Sequence, residues 1–371
     1  MSVAAARSCS VVEWSLIGSE VSGLVRWKSQ IRNAMELGLM KRLLTTIVIA
    51  AALLTLSTSG TEMTTQPAGN TQAKPDRRVH SIRVLVLSTM LADAGIGEWG
   101  FAALVEVDGH RILFDTGAHP DTVLKNASEL SIDLGSIQEV ILSHNHDDHT
   151  GGLLHLRREF AKVNPAALSR AHVGRGIFWS RPRENAEANP MIQVKPAYEA
   201  TGGVFIEHSE PVELYPGVWL TGPVPRVFPE RNWPSRLGPV KTPAGLVEET
   251  IPEDMSLIFD TDKGLVVLSG CGHAGVINTL EFARSQVRRA PIYAAIGGFH
   301  LFQLDDKRLA WTASKMREFG VRHLLGAHCT GIEAVYRLRQ LARLDRSTCV
   351  VSSVGSSFAL DKGIDPLALA R

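Results

Sequence analysis

Ten consecutive residues, Ser143-His144-Asn145-His146-Asp147-Asp148-His149-Thr150-Gly151-Gly152, place three histidines and two aspartates within six positions. Burying several ionisable groups without partners costs too much for this run to be ordinary core. A merely solvated, non-catalytic loop is the plain alternative, but such loops rarely draw so heavily on imidazole. On an extended chain, residues two apart point the same way, so His144 and His146 can grip one cation together. Asp148 and His149 follow where the chain must turn at Gly151-Gly152, and can face a second cation beside the first. Imidazole with some carboxylate suits zinc best, with iron or manganese as alternatives.

The elements around this run can be read from the same sequence. SIRVLVLS (from Ser81) reads as a strand, and FAALVEVDGHRILFD as two strands joined by Asp108-Gly109, a hairpin turn. Pro120 to Leu130 suits a helix with proline near its start, QEVILS a buried strand that ends at the histidine run, and Gly151 to Phe160 a further helix. Residues 161–250 are rich in Pro, Gly and Arg and show only the short strands GVFIEH and GVWLTG. MSLIFDTDKGLVVLSG is a second hairpin-like pair, followed by a helix from Val276 to Arg288. PIYAAIGGF, HLLGAH and the region TCVVSSVGSSFAL read as strands, with helices at Asp305 to Phe319 and Gly331 to Leu344. Strand groups alternating with helices indicate an α/β domain of layered sheets.

Composition narrows the partners. A formal net charge of +1 over 371 residues, with no long basic run, gives no support to nucleic-acid binding and leaves a small-molecule substrate. Four cysteines, Cys9, Cys271, Cys329 and Cys349, do not make a disulfide scaffold. Met40-Lys41-Arg42 precedes an apolar run from Leu43 to Leu56 and then a small polar region, the layout of a secretory signal peptide. The run is shorter than the roughly 18 residues of a spanning helix, so no membrane anchor is expected after cleavage. The organisation expected is an untranslated or disordered stretch over 1–39, a signal peptide over 40–60, a polar linker over 61–78 and one domain over 79–371. That places the mature protein in the periplasm or outside the cell; a cytosolic protein with an apolar N-terminal helix is the alternative.

The His-x-His-x-Asp-His run, between a strand and Gly-Gly, resembles the metal signature of the metallo-β-lactamase superfamily, and Leu113-Phe114-Asp115-Thr116-Gly117 resembles its upstream Asp motif. The likeness spans roughly residues 81–360 and implies a four-layer αββα sandwich with the site at one sheet edge. Gly270-Cys271-Gly272-His273-Ala274-Gly275, Gly297-Gly298-Phe299-His300-Leu301 and His328-Cys329-Thr330-Gly331 resemble a narrower group, the dihydropterin ribofuranosylaminobenzene phosphate synthase-like proteins. By that resemblance His144 and His146 hold a first metal, and Asp148, His149 and His328 a second. The superfamily adds another histidine and a bridging aspartate. Here Cys271 stands at the aspartate's place, and His273 is the candidate for the missing histidine. Cys271 is open to three readings: a thiolate ligand, a pocket-lining thiol, or half of a disulfide with Cys329. Asp115 is expected to orient ligand imidazoles from behind. His300 is expected to contact substrate or donate a proton.

Zinc, as one or two ions, would lower the pKa of water to about 7 and polarise a carbonyl or phosphoryl oxygen, with Asp148 as a metal ligand and proton acceptor. The expected activity is hydrolysis of an ester, lactone, amide or phosphoester. A metal-binding protein without turnover, serving sensing or iron redox chemistry, and a synthase-type transferase are the alternatives. No Gly-x-Ser-x-Gly supports a serine hydrolase, and the glycine-rich pieces lack the Gly-Lys-Ser/Thr of a phosphate loop. His155 falls in a helix and reads as structural, while His172 and His208 lie in the poorly patterned middle.

Overall fold

The computed structural model describes residues 77–232 and 238–369. The expected leader over 40–60, the residues before Met40 and the linker up to residue 76 lie outside the described residues. Strands β1 (Ile82–Ser88), β2 (Ala102–Val107), β3 (His110–Phe114), β4 (Glu139–Leu142), β5 (Arg170–Gly174) and β6 (Val204–His208) lie side by side in sequence order. The second sheet is built from β7 (Val212–Tyr215), β8 (Val218–Leu220), β11 (Ser256–Thr261), β12 (Gly264–Ser269), β13 (Ile292–Gly297), β14 (His323–Gly326) and β15 (Cys349–Val351). A small hairpin, β9 (Pro239–Thr242) with β10 (Gly245–Glu248), stands apart, and β16 (Ser357–Ala359) and β17 (Gly363–Asp365) extend the first sheet beyond β1.

Both sheets are buried on both faces, which is why their strands read as continuous apolar runs. Val84, Val105, Phe114 and Ile141 meet Leu257, Phe259, Leu268 and Ile296 between the sheets. The opposite face of the first sheet, with Leu85, Leu104 and Val140, takes Val123, Leu153, Leu156 and Met191. These come from Thr122–Glu129, Leu153–Ala161 and Met191–Glu199. Val267, Ala295 and Leu324 of the second sheet pack on Ile277, Met316 and Leu338, which belong to the helices Val276–Phe282, Asp306–Glu318 and Ile332–Leu341. The layers are therefore helix, sheet, sheet, helix, as expected.

Sequence pattern misses several pieces. β5 begins at a charged residue and carries His172 mid-strand, β7 is only partly buried, and the β9–β10 hairpin exposes most of its residues. The helix Met191–Glu199 contains Pro196, whose ring and missing N–H oppose a helix interior. The expected helix over 276–288 is α-helical only to Phe282 and widens into a π turn over Ala283–Val287. The final strand region divides, β15 joining one sheet and β16 the other.

Topology decides where chemistry can sit. β3 runs parallel to β4, and β12, β13 and β14 run parallel to one another. The loops after their C-terminal ends carry the polar residues of interest, the usual place for a site in parallel sheets. Behind that edge, Glu230 accepts the backbone N–H groups of Ile277 (3.1 Å) and Asn278 (2.8 Å), which the first helical turn leaves unpaired. Burial pushes the Glu230 carboxyl up to about 7 against the pull of those two donors. A folded pKa above the ordinary 4.5 gives stability that is full below that value and fades as pH rises through about 7. Glu230→Gln is therefore expected to flatten the decline of the metal-free protein's melting temperature between about pH 5 and 8. Parallel melting curves for wild type and variant across that range would show Glu230 to be ionised throughout.

Candidate metal centre

β3 ends at Asp115, which takes a left-handed backbone with φ of +56°. Its Oδ1 accepts the Ser143 N–H at 2.7 Å, and its Oδ2 accepts the Ser143 hydroxyl at 2.8 Å. The same Oδ2 lies 2.7 Å from His149 Nδ1. β4 ends one residue before Ser143. His146 is extended, with φ of −65° and ψ of 145°, and opens the single helical turn Asp147–Thr150 that carries Asp148 and His149. Gly151 and Gly152 let this turn press on the loop after β3: a Cβ would stand 2.0 Å from the Ala118 carbonyl oxygen and 2.3 Å from that of Thr116. β12 leads through Gly270 to Cys271 and His273, β13 to His300, and β14 to His328 and Cys329. A Cβ on Gly270 would fall 2.1 Å from Ser143 Oγ, so no larger residue lets β12 approach the β4 loop.

Every residue expected at the site arrives there. His144, His146 and His273 bring one ligand atom each to within 4.8 Å of one another, as do Asp148, His149 and His328. Cys271 falls between the two triads, grouping with His144 and His149 on one side, with His273 and His300 on another, and with His328 and Cys329 on a third. Asp115 holds His149 from behind, as expected. His300 stands at the margin, half-buried, with its ring 4.7 Å from that of His273. Cys271 and Cys329 are not joined, and their Sγ atoms lie 3.2 Å apart. The other histidines go elsewhere: His155 sits on the helix Leu153–Ala161, and His172 bonds to His208 (2.9 Å) and Glu139 (2.6 Å).

Hydrogen bonds fix which ring nitrogen faces the centre. Since Ser143 donates to Asp115, its oxygen accepts from His144 Nδ1 at 2.9 Å. His149 Nδ1 donates to Asp115 and His273 Nδ1 donates to the Asn232 carbonyl. The Nε2 atoms of all three then face the centre, those of His144 and His273 unprotonated. Those of His144 and His273 have no hydrogen-bond partner among the described residues although they are buried, and neither nitrogen of His328 has one. Asp148 Oδ2 lies 3.2 Å from His328 Nε2, close enough for both to share one cation. Orphaned buried nitrogens are costly, and a cation satisfies them all at once. The donor set, imidazole with one carboxylate and a thiol, fits zinc or iron.

Charge supports the same fit. Burial, then the neighbouring imidazoles, hold His144 and His273 well below the ordinary histidine value, and burial lowers His146 to about 4. All three are therefore neutral imidazoles at neutral pH, the form a metal requires. Burial also disfavours a charged His149, but the Asp115 and Asp148 carboxylates outweigh it and raise the ring to about 9. Burial opposes ionisation of Asp148 as well, yet His149 and His328 bring its carboxyl well below the usual range. A bound metal would replace the His149 proton, so binding must release protons and strengthen as pH rises.

Ser143, Asn232 and Cys329 were not anticipated here. Ser143 adjoins the signature, and Cys329 was read only as a disulfide partner; Asn232, in the unpatterned middle, gave no signal. Because Asp115 and Ser143 fix two imidazole orientations, Asp115→Asn and Ser143→Ala are each expected to weaken metal binding by about 10- to 100-fold. Competition against a chromophoric chelator reads this directly, and wild-type affinity in both variants would remove their orienting role.

A cavity of about 480 Å³, bordered by Asn232, Leu304, Lys307 and Trp311, adjoins the cluster through Asn232, whose carbonyl accepts from His273, and is lined by none of the clustered histidines.

A sequence model of the metallo-β-lactamase superfamily matches residues 100–254. The 7,8-dihydropterin-6-methyl-4-(β-D-ribofuranosyl)-aminobenzene-5′-phosphate synthase of Methanocaldococcus jannaschii is 30% identical over 268 residues, covering 69% of this chain and 90% of that protein. An uncharacterised protein of the same organism is 27% identical over 262 residues, 70% and 94% of the two chains. A crystal structure described as a metal-dependent hydrolase of the β-lactamase superfamily superposes with a TM-score of 0.56 at 27% identity, over 71% of this chain and 94% of that one. Fold, histidine signature and similarity over about two thirds of the chain agree: the chain belongs to the metallo-β-lactamase superfamily.

Proposed function

We propose that this protein is a hydrolase of small molecules that uses one or two zinc ions, held by His144, His146 and His273 and by Asp148, His149 and His328. The observation that carries this reading is the convergence of buried imidazoles: the inward nitrogens of His144 and His273 have no partner among the described residues, their far sides pinned by Ser143 and Asn232, and His149 beside them is held by Asp115. Zinc bound there acidifies water to a pKa of about 7 and polarises a phosphoryl or carbonyl oxygen. The protein's own part is positional and electrostatic. Asp148 stays ionised and is only part-buried, so its carboxylate can take a proton from the attacking water as well as hold a metal. His300 faces the same opening and can give a proton to a leaving group. Cys271 takes the place between the triads and is proposed as a thiolate ligand.

A phosphoester is the first bond to test, with lactone, ester and amide bonds beside it, because the relative named above is a synthase whose product carries a 5′-phosphate. That name also supports a second reading, a synthase-type transfer at the same centre. A panel of chromogenic phosphodiester, lactone and β-lactam substrates, assayed with zinc, after chelation and after zinc is restored, tests hydrolysis. Turnover lost on chelation and regained with metal supports it; a zinc-saturated protein inert towards every class would turn the reading to transfer or to binding alone.

Export is proposed on the sequence of the leader. Mature protein from the native host is expected to begin between about Thr61 and Lys74, without the apolar run. N-terminal sequencing checks this, and a soluble product that retains residues 43–56 would refute it.

A further inference from the structure

The metal-ligand cluster is closed on most sides. His144, His149, Cys271, His273 and His328 are buried, and the side chains that reach solvent are His146, Asp148 and His300. Two large aromatic residues stand beside that opening, Trp99 at 47% exposure and Phe302 at 41%. They touch each other edge to face, with ring centroids 5.3 Å apart at 70°. Each also touches a ring of the cluster: Trp99 lies 4.9 Å from His328, and Phe302 lies 5.2 Å from His300.

Their backbones are tied to the segments that carry the ligands. Two residues after Trp99, the Phe101 N–H donates to the Asp148 carbonyl at 3.1 Å. The Leu301 N–H donates to the Cys329 carbonyl at 3.0 Å, and the Phe302 N–H reaches the same oxygen at 3.3 Å. The backbone segments that carry the two rings are thus tied to the centre. Single exposed apolar residues are ordinary. A pair that forms one continuous surface against two site imidazoles is a different matter, because nothing in the core needs it there.

We propose that Trp99 and Phe302 form a specificity corner that receives a planar aromatic group attached next to the substrate's reacting bond. Two rings near a right angle let a third ring lie flat on one while it turns its edge to the other, both favourable arrangements for aromatic pairs. A flexible alkyl group gains burial there but not those contacts. This proposal rests on the metal-centre reading above, since the corner matters only if the reacting group enters beside Asp148 and His300.

The test uses zinc-loaded full chain and three probes that are not hydrolysed as esters: inorganic phosphate, phenylphosphonate and n-butylphosphonate. Calorimetric titration is expected to show phenylphosphonate binding roughly tenfold more tightly than n-butylphosphonate. Trp99→Ala and Phe302→Ala should each cut that preference to about threefold or less, and Trp99→Phe should keep most of it. Zinc content and melting temperature, measured on every variant, show that the centre and the fold are intact. If all three probes bind without an aromatic preference, or if the preference survives in the double alanine variant, the corner is overturned while the metal centre stands. If none binds to zinc-saturated protein, the reading of the centre as an anion-accepting site fails, and the corner fails with it.

Discussion

His273→Ala should strip the first metal position and lower turnover by more than the roughly 100-fold that loss of an outer orienting partner costs. The reason is geometric. His273 enters from the loop after β12, in the other sheet from His144 and His146, and it closes their triad. Without it, two imidazoles from one strand end must hold the ion alone, whereas zinc sites need at least three protein ligands. His146→Ala should fail in the same way. Metal content per chain after dialysis separates ligand loss from unfolding when read beside the melting temperature. Full metal content together with full turnover in His273→Ala would remove this histidine from the ligand set.

The second large effect concerns Cys271. Burial, and then the neighbouring Cys329, push its thiol well above the ordinary value, while against burial Cys271, His328 and His300 hold the Cys329 thiol below it. The Cys329 sulfur accepts the His300 N–H at 3.2 Å, which favours that thiolate. In the metal-free protein, Cys329 should therefore be the first of the two to react with an alkylating reagent. Metal binding should change the order of events entirely, because a coordinating thiol is deprotonated outright and its lone pair is engaged. Cys271, whose sulfur lies 3.1 Å from His149 Nε2, is then expected to resist alkylation until the metal is chelated. Cobalt-loaded protein should show a thiolate charge-transfer band that disappears in Cys271→Ser, and Cys271→Asp should keep metal while changing the rate. Alkylation of Cys271 at the same rate with and without metal would leave it as a pocket-lining thiol.

Much of this was legible in the chain before its fold was known, for reasons that differ by residue. His144, His146, Asp148 and His149 are near neighbours, so strand and helix periodicity alone could place them together. His273, His300 and His328 are distant in sequence and were reached through motif resemblance. Each follows a parallel strand of the second sheet, and the common edge of those strands explains their meeting. Cys329 was visible as a residue but not as a member of the centre, because its role depends on a 3.2 Å contact with a sulfur 58 positions away. Asn232 acts through its backbone carbonyl, which every residue has, so no sequence pattern could mark it. The missed elements are those where local signal conflicts with tertiary demand: β5 buries His172 among hydrogen-bonding partners, and Pro196 sits within a helix.

The central claim is that the histidine cluster holds metal. Anomalous diffraction at the zinc edge, from crystals of zinc-loaded protein, tests it most directly. A peak is expected inside the triad of His144, His146 and His273, inside that of Asp148, His149 and His328, or inside both, with Cys271 beside it. Zinc-saturated crystals with no anomalous density among these side chains, or with density only elsewhere, would contradict it.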